Sequence, residues 1–261
     1  MNYLEIAIEC AKEAEKIHNY YRKEGFTVGT KTSHRDRVTT ADIESEKTIT
    51  NIIEKYFPNH NIIGEENSYP EKKSEFTWVI DPLDGTNNYS RDFPYYGVSI
   101  ALLQNNVTIL GVVYNTVCGE LFYAERGKGA YLNETRIQVS DTKRIKDSLI
   151  ITGFYQTQSK AVLKNLDVVK AFFQEGILGL RRTGSAALDL CQIAAGRADI
   201  FWEPILNAWD FKAGELIVQE AGGMCTDYSG NTLPLAKSTI VATNKILHKK
   251  AIEIINSSLQ K

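Results

Sequence analysis

The chain has 261 residues, of which 43% are hydrophobic and 24% charged, with a formal net charge of −2. That balance belongs to a globular protein with ample material for a core, far from the low-hydrophobicity, high-charge compositions of disordered chains. No block of like charge supplies a footprint for a nucleic-acid backbone or an acidic membrane surface, so neither is an expected partner.

The first residues, Asn2, Tyr3, Leu4 and Glu5, lack the basic and apolar runs of a secretory signal. No segment reaches the ~18–20 apolar residues that span a bilayer, and the expected location is cytoplasmic. Cys10, Cys118, Cys191 and Cys225 are scattered, without the close pairs of zinc or redox sites, and read as reduced packing residues.

Leu4, Ala7, Ile8, Ala11, Ala14, Ile17 and Tyr21 recur at helical spacing and predict a long amphipathic helix over 3–24. A polar stretch over 25–37 breaks that period and predicts an exposed, mobile loop or hairpin. A second helix is expected from Thr39 and Thr40, with Ile43, Ile49, Ile52, Ile53 and Tyr56 on one face and a stop before Pro58, which places Asp42 in its first turn. Apolar runs at 61–64 and 78–80 read as buried strands, each leading into acidic residues. The segments 98–103, 109–114 and 121–124, punctuated by Asn105-Asn106 and Gly119, predict an antiparallel meander. After Leu149 strands and helices alternate, with helices near 161–173, 186–195 and 211–221, strands near Arg181 and Ile200, and a stop at Gly222-Gly223. This pattern fits stacked helix and sheet layers, an α+β or α/β class, better than a sandwich or a bundle.

The chemistry concentrates in Trp78-Val79-Ile80-Asp81-Pro82-Leu83-Asp84-Gly85-Thr86-Asn87-Asn88-Tyr89. Asp-Pro and Asp-Gly are ordinary turn chemistry. Alternatively, a tight turn at the end of a buried strand aims Asp81 and Asp84 at one point, while Gly85 and Thr86 open a short helix or turn whose N–H groups would meet a phosphate. Glu65 follows another strand, and Asp210 opens a helix. Taken singly, Glu65 reads as a solvated loop charge and Asp210 as an acid complementing a helix dipole. Gathered together the four would repel, since two unit charges ~4 Å apart interact by ~4 kcal/mol at an effective dielectric of ~20. An oxygen-only ligand set of this kind suits Mg²⁺ or Mn²⁺ rather than zinc.

At these residues the chain resembles the inositol monophosphatase family, through Gly64-Glu65-Glu66, Trp78 to Asn88, and Trp209-Asp210 with Glu220-Ala221-Gly222-Gly223. Further matches are Asp36 to Asp42 with Val38-Thr39, Phe93-Pro94, Ser99-Ile100-Ala101-Leu102 and Gly184-Ser185-Ala186-Ala187. The resemblance covers nearly the whole length and implies a layered αβαβα sugar-phosphatase fold. It implies one domain over 1–261, with an N-terminal α+β lobe of about 1–145 and a C-terminal α/β lobe of about 146–261, usually as a homodimer. It further implies Mg²⁺-dependent, often lithium-sensitive hydrolysis of a small phosphate ester, inositol 1-phosphate foremost, with two or three ions bound.

By the same resemblance, Glu65, Asp81 and the Leu83 carbonyl hold one ion, and Asp81, Asp84 and Asp210 hold a second. Thr86 and Glu65 position and help deprotonate the attacking water, with Asp42 behind Thr86 as its acceptor. Gly85 and Thr86 amides meet phosphate oxygens, and Gly184, Ser185, Ala186 and Glu203 contact the polyol. Lys31 approaches the cluster or is a solvated loop lysine, and Arg181 and Arg182 either meet a second phosphate or are surface residues.

Asn207 departs from the histidine that animal inositol enzymes carry before the Trp-Asp pair, which keeps fructose 1,6-bisphosphate, 3′,5′-bisphosphate nucleotides and histidinol phosphate open as substrates. A haloacid-dehalogenase-type aspartyl nucleophile fits less well, because the Asp81–Asp84 spacing is one residue longer than its motif. A non-catalytic cation-binding regulatory module is the alternative from another class.

Overall fold

The structure, a computed structural model, describes residues 2–31, 37–154 and 159–259. Helix α1 (Tyr3–Glu24) starts where Asn2 accepts the Leu4 N–H at 2.7 Å and Glu5 accepts the Asn2 N–H, a reciprocal cap that fixes the first turn. Its predicted stripe is buried through Ala7, Ala11 and Ala14, together with Ile6 and Cys10. Strands β1 (Val28–Thr30) and β2 (Arg37–Thr39) pair antiparallel, as a hairpin over 25–37 requires; Asp36 lies outside the described residues. In α2 (Thr40–Tyr56) the Asp42 carboxylate accepts the Thr39 N–H at 2.8 Å, so this acid is part of the cap.

Seven strands then form the first sheet, namely β3 (Asn61–Gly64), β4 (Phe76–Asp84), β5 (Gly97–Gln104), β6 (Val107–Asn115), β7 (Glu120–Glu125), β8 (Ala130–Leu132) and β9 (Thr135–Ile137). They lie side by side in chain order; β3 and β4 are parallel and the remaining pairs antiparallel. Short helix α3 (Thr86–Tyr89) follows β4. The hairpin β8–β9 falls within the strand-and-turn region expected over 96–139 and adds two short strands to the meander. Cys118 sits exposed at the β6–β7 turn and is not a packing residue, whereas Cys10, Cys191 and Cys225 are buried.

The second sheet has the order β11-β10-β12-β14-β13, from β10 (Leu149–Thr152), β11 (Gly179–Arg181), β12 (Ile200–Leu206), β13 (Met224–Thr226) and β14 (Ser238–Thr243). Its helices are α4 (Ser159–Gln174), α5 (Ala186–Ala194), α6 (Ala208–Glu220) and α7 (His248–Leu259).

Alternation on β4 sends neighbouring side chains to opposite faces, and this builds the layers. Trp78 and Ile80 join Ile6, Ile49 and Ile53 of α1 and α2 on one face. Val79 joins Leu188, Ile193, Leu216 and Ile217 of α5 and α6 on the other, and those helices also meet Phe201, Ile240 and Ala242 of the second sheet. Val168 and Phe172 of α4 and Ile254 and Ile255 of α7 cover the far face of that sheet. The result is the αβαβα stack. Gly111 sets how close its middle layer approaches, because a Cβ there would lie 2.6 Å from the Ala213 carbonyl oxygen of α6.

Candidate active site

Glu65 leaves the end of β3, Asp81 and Asp84 lie on β4, and Asp210 is the third residue of α6. All four line one pocket of about 350 Å³ together with Lys31, Leu83, Gly85, Thr86, Gly184, Ser185, Ala186 and Glu203. Asp42 stands behind Thr86, fully buried.

The expected tight turn after Asp81 is instead a bulge in a strand that continues. Asp81 lies opposite Ser99 and Asp84 opposite Gly97, so three steps on β4 match two on β5. The ladder resumes at Asp84, and the extra residue, next to a proline that has no N–H to donate, is absorbed locally. Asp81 Oδ1 accepts the Leu83 N–H at 3.0 Å, which ties down the bulge. Gly85 then takes φ 96° as the cap of α3, where a Cβ would stand 3.0 Å from the Tyr95 carbonyl oxygen.

Thr86 Oγ1 donates to Asp42 Oδ1 at 2.8 Å and lies 3.1 Å from the Leu83 carbonyl oxygen. Asp42 Oδ2 accepts the Thr39 N–H at 2.8 Å and the Thr39 hydroxyl at 2.5 Å. One Asp42 carboxylate oxygen thus caps α2 and the other accepts the Thr86 hydroxyl.

Burial raises the Asp81 carboxyl well above the usual range, and the Glu65, Asp84 and Asp210 charges push the same way. Burial, then Glu65 and Asp84, does the same to Asp210. Asp84 is pushed up to about 6 by burial, against the Ser185 hydroxyl and Ala187 N–H that both donate to its Oδ2 at 2.7 Å. Asp42 rises to about 6 through burial, against the donors Thr39 and Thr86.

The carboxylates converge without closing into a finished ion cage among the described residues. Even so, the donor set fits a hard divalent cation. It is made of oxygen alone, and the neighbouring charges of Glu65, Asp84 and Asp210 disfavour the anionic form of the buried Asp81, a cost that adjacent positive charge relieves. Lys31 supplies some of that charge, with Nζ 2.8 Å from Glu65 and 2.6 Å from Glu66. Burial works to lower its pKa, but the two glutamates outweigh burial and hold the ammonium above the usual lysine value. Lys31 therefore lies at the cluster, ion-paired and largely shielded from solvent.

On the opposite wall Ser185 is almost fully buried, and its hydroxyl is committed to Asp84. Glu203 of β12 points at Gly153, where no Cβ would fit. Its carboxyl is raised well above normal by burial and then by Asp210 and Asp189, with Arg182 opposing. Arg182 lines the pocket and Arg181 does not. Asn207 caps α6, and its N–H donates to Asp210 Oδ2 at 2.6 Å, so the departure from histidine lies in the pocket wall.

Among the pocket residues outside the expected set are the charged Arg37, Asp189 and Lys237. Asp189 had a signal in the sequence. It is the one charge in the apolar run 186–195, and it is buried while accepting the Tyr95 hydroxyl at 3.1 Å and the Thr183 hydroxyl.

The profile of the inositol monophosphatase family matches residues 2–260. The chain is 40% identical over 259 residues to a Haemophilus influenzae protein named Nus factor SuhB, covering 98% of this chain and 96% of that one. It is also 40% identical over 226 residues to the inositol-1-monophosphatase of a Synechocystis species, covering 86% of this chain and 78% of that one. The solved Thermotoga maritima IMPase superposes with a TM-score of 0.91 at 32% identity, covering 100% of this chain and 99% of that one. The order of the layers, the strand ends that carry the acids and these likenesses lead to one assignment: the chain belongs to the inositol monophosphatase family.

Proposed function

We propose that the protein is a Mg²⁺-dependent phosphate monoester hydrolase acting on a small polyol phosphate, with inositol 1-phosphate the leading candidate. The observation that carries this reading is the meeting of Glu65, Asp81, Asp84 and Asp210 in one pocket beside a threonine hydroxyl already donated to a buried aspartate. Glu65, Asp81 and the Leu83 carbonyl would hold one ion, and Asp81, Asp84 and Asp210 another, with Mn²⁺ an alternative metal. Bound Mg²⁺ supplies Lewis acidity, offsetting carboxylate charge and polarising the oxygens presented to it.

The protein's own groups do the rest. With its hydrogen committed to Asp42, Thr86 offers lone pairs to the attacking water, and Glu65 is its proton acceptor. Gly85 and Thr86 N–H groups bind phosphate oxygens, a preorganised arrangement suited to a reaction governed by positioning and charge. Glu203 accepts hydroxyls of the polyol, backbone at Gly184 and Ala186 shapes its seat, and Ser185 acts through Asp84. No covalent intermediate is needed.

A second reading within the same class has its own support. Arg182 and Lys237 line the pocket and form no ion pair among the described residues, so a substrate with two phosphates would find partners there. Fructose 1,6-bisphosphate and 3′,5′-bisphosphate nucleotides are the candidates. For the homodimer that the family resemblance implies, exposed Leu163, Leu166 and Phe173 of α4, with Leu178, offer an apolar face. Light scattering would give the mass.

The test is phosphate release from inositol 1-phosphate, fructose 1,6-bisphosphate, 3′-phosphoadenosine 5′-phosphate and histidinol phosphate, with Mg²⁺, with added LiCl and with EDTA. EDTA-sensitive release establishes the hydrolase, and the largest kcat/KM names the substrate class. Silence across the panel from folded, Mg²⁺-binding protein favours the non-catalytic cation-binding regulatory module.

A further inference from the structure

Glu46 lies on α2 one turn after Asp42 and is completely buried. Its Oε2 accepts the Glu66 N–H at 2.9 Å, and its Oε1 accepts the Asn67 side-chain amide at 2.9 Å and the Tyr69 hydroxyl at 2.9 Å. Among the described residues no cation pairs with it. A buried carboxylate held by neutral donors alone is costly to desolvate, so its placement calls for a reason beyond packing. All three donors belong to the single segment that leaves β3, and that segment carries Glu65. The approach is close enough that a Cβ on Gly64 would stand 2.6 Å from the Glu46 carboxylate.

The neighbouring acid on the same helix face holds the other half of the site, since Asp42 accepts the Thr86 hydroxyl at 2.8 Å. One rigid helix thus grips the Glu65 segment with Glu46 and Thr86 with Asp42, four residues or about 6 Å of axial rise apart. We infer that Glu46 is a positioning residue that fixes Glu65 relative to Thr86 and to the other acids, so that α2 sets the spacing of the groups that bind metal and orient water. The inference rests on the metal-phosphatase reading given above. Glu46 itself does not line the pocket.

The experiment compares wild type, Glu46→Ala, Glu46→Gln, Gly64→Ala and Ile53→Val by calorimetric titration with Mg²⁺ and by Mg²⁺-dependent phosphate release. Ile53 lies on the buried face of the same helix, packs in the core and controls for lost stability alone. Glu46→Ala is expected to bind Mg²⁺ roughly 10–100-fold more weakly and to lose kcat by a similar factor, the usual effect of removing a group that orients a ligand. Glu46→Gln keeps a carbonyl for the Glu66 N–H, while Asn67 and Tyr69 can turn to accept its amide, so it should recover most of that loss. Gly64→Ala should weaken Mg²⁺ binding with the carboxylate still present, and Ile53→Val should leave it unchanged. If Glu46→Ala does not fold, Glu46→Gln and Gly64→Ala decide alone through their Mg²⁺ affinities. Wild-type Mg²⁺ affinity in every folded Glu46 and Gly64 variant would overturn the inference and leave the hydrolase reading standing. A wild type that neither binds Mg²⁺ nor releases phosphate would overturn both.

Discussion

Asp210 caps a helix and faces three other acids with the same carboxylate, and these two duties have opposite consequences for stability. The cap holds the Asn207 N–H, whereas burial and like charge raise the pKa of the carboxyl. A carboxyl raised in the folded state contributes stability that is present below its unfolded value and lost as pH rises through the folded value. Asp210→Asn keeps an oxygen for the cap and removes the charge. In EDTA at pH 8 it should therefore melt above wild type, while Mg²⁺-dependent turnover falls by roughly 100-fold or more. Thermal melts and initial rates check both halves, and near-full turnover would remove Asp210 from the metal site.

His18 carries the opposite sign. It is fully buried, with Nε2 3.0 Å from the Pro82 carbonyl oxygen and Nδ1 3.3 Å from the Thr116 hydroxyl, and burial lowers its pKa to about 4. The unfolded chain takes up that proton near pH 6.5, so stability falls as pH drops from about 6.5 towards 4, by about 3 kcal/mol. Urea melts of wild type and His18→Gln across this window should converge at the acid end.

Elements with long apolar periods and clear caps were legible in the sequence: α1 and α2 begin and end close to the expected positions, because Asn2, Thr39 and Pro58 mark their boundaries. The expected elements stop at Gly222-Gly223, short of β13, β14 and α7. A three-residue strand such as β13 carries too little pattern to read, although Ala251, Ile254 and Ile255 do mark α7. Strand β4 was read as three residues and runs to nine, because its bulge interrupts the alternation that signals a strand. Contact between elements can be tested at Gly111, where the backbone of α6 blocks any side chain. Gly111→Ala should cost about 1–3 kcal/mol in urea unfolding, as overpacking does. An unchanged midpoint would mean that α6 can move away from β6 at little cost.

Across the whole molecule, one apolar cluster joins Val79, Val113 and Phe122 of the first sheet to Phe201 and Ile240 of the second through α5 and α6. A shared middle layer predicts a single cooperative unfolding transition in EDTA, followed by both circular dichroism and tryptophan fluorescence. Two separated transitions would instead divide the chain into lobes near residue 146. The sequence by itself determined the kinds of donor and their order: four oxygen acids at strand ends and a helix start, a glycine-threonine step after Asp84, and the periods that stack helices on sheets. Local spacing carries that information, because caps, alternation and turn residues act over a few positions. The resemblance implied that Glu65, Asp81 and Asp210 gather, and only the tertiary structure decided that they line one pocket, that Lys31 lies on Glu65 and Glu66, that Asp189 joins the pocket wall, and that Glu46 holds the segment carrying Glu65. Those meetings are set by how the layers pack, and packing is a property of the assembled surfaces that no short stretch of sequence contains.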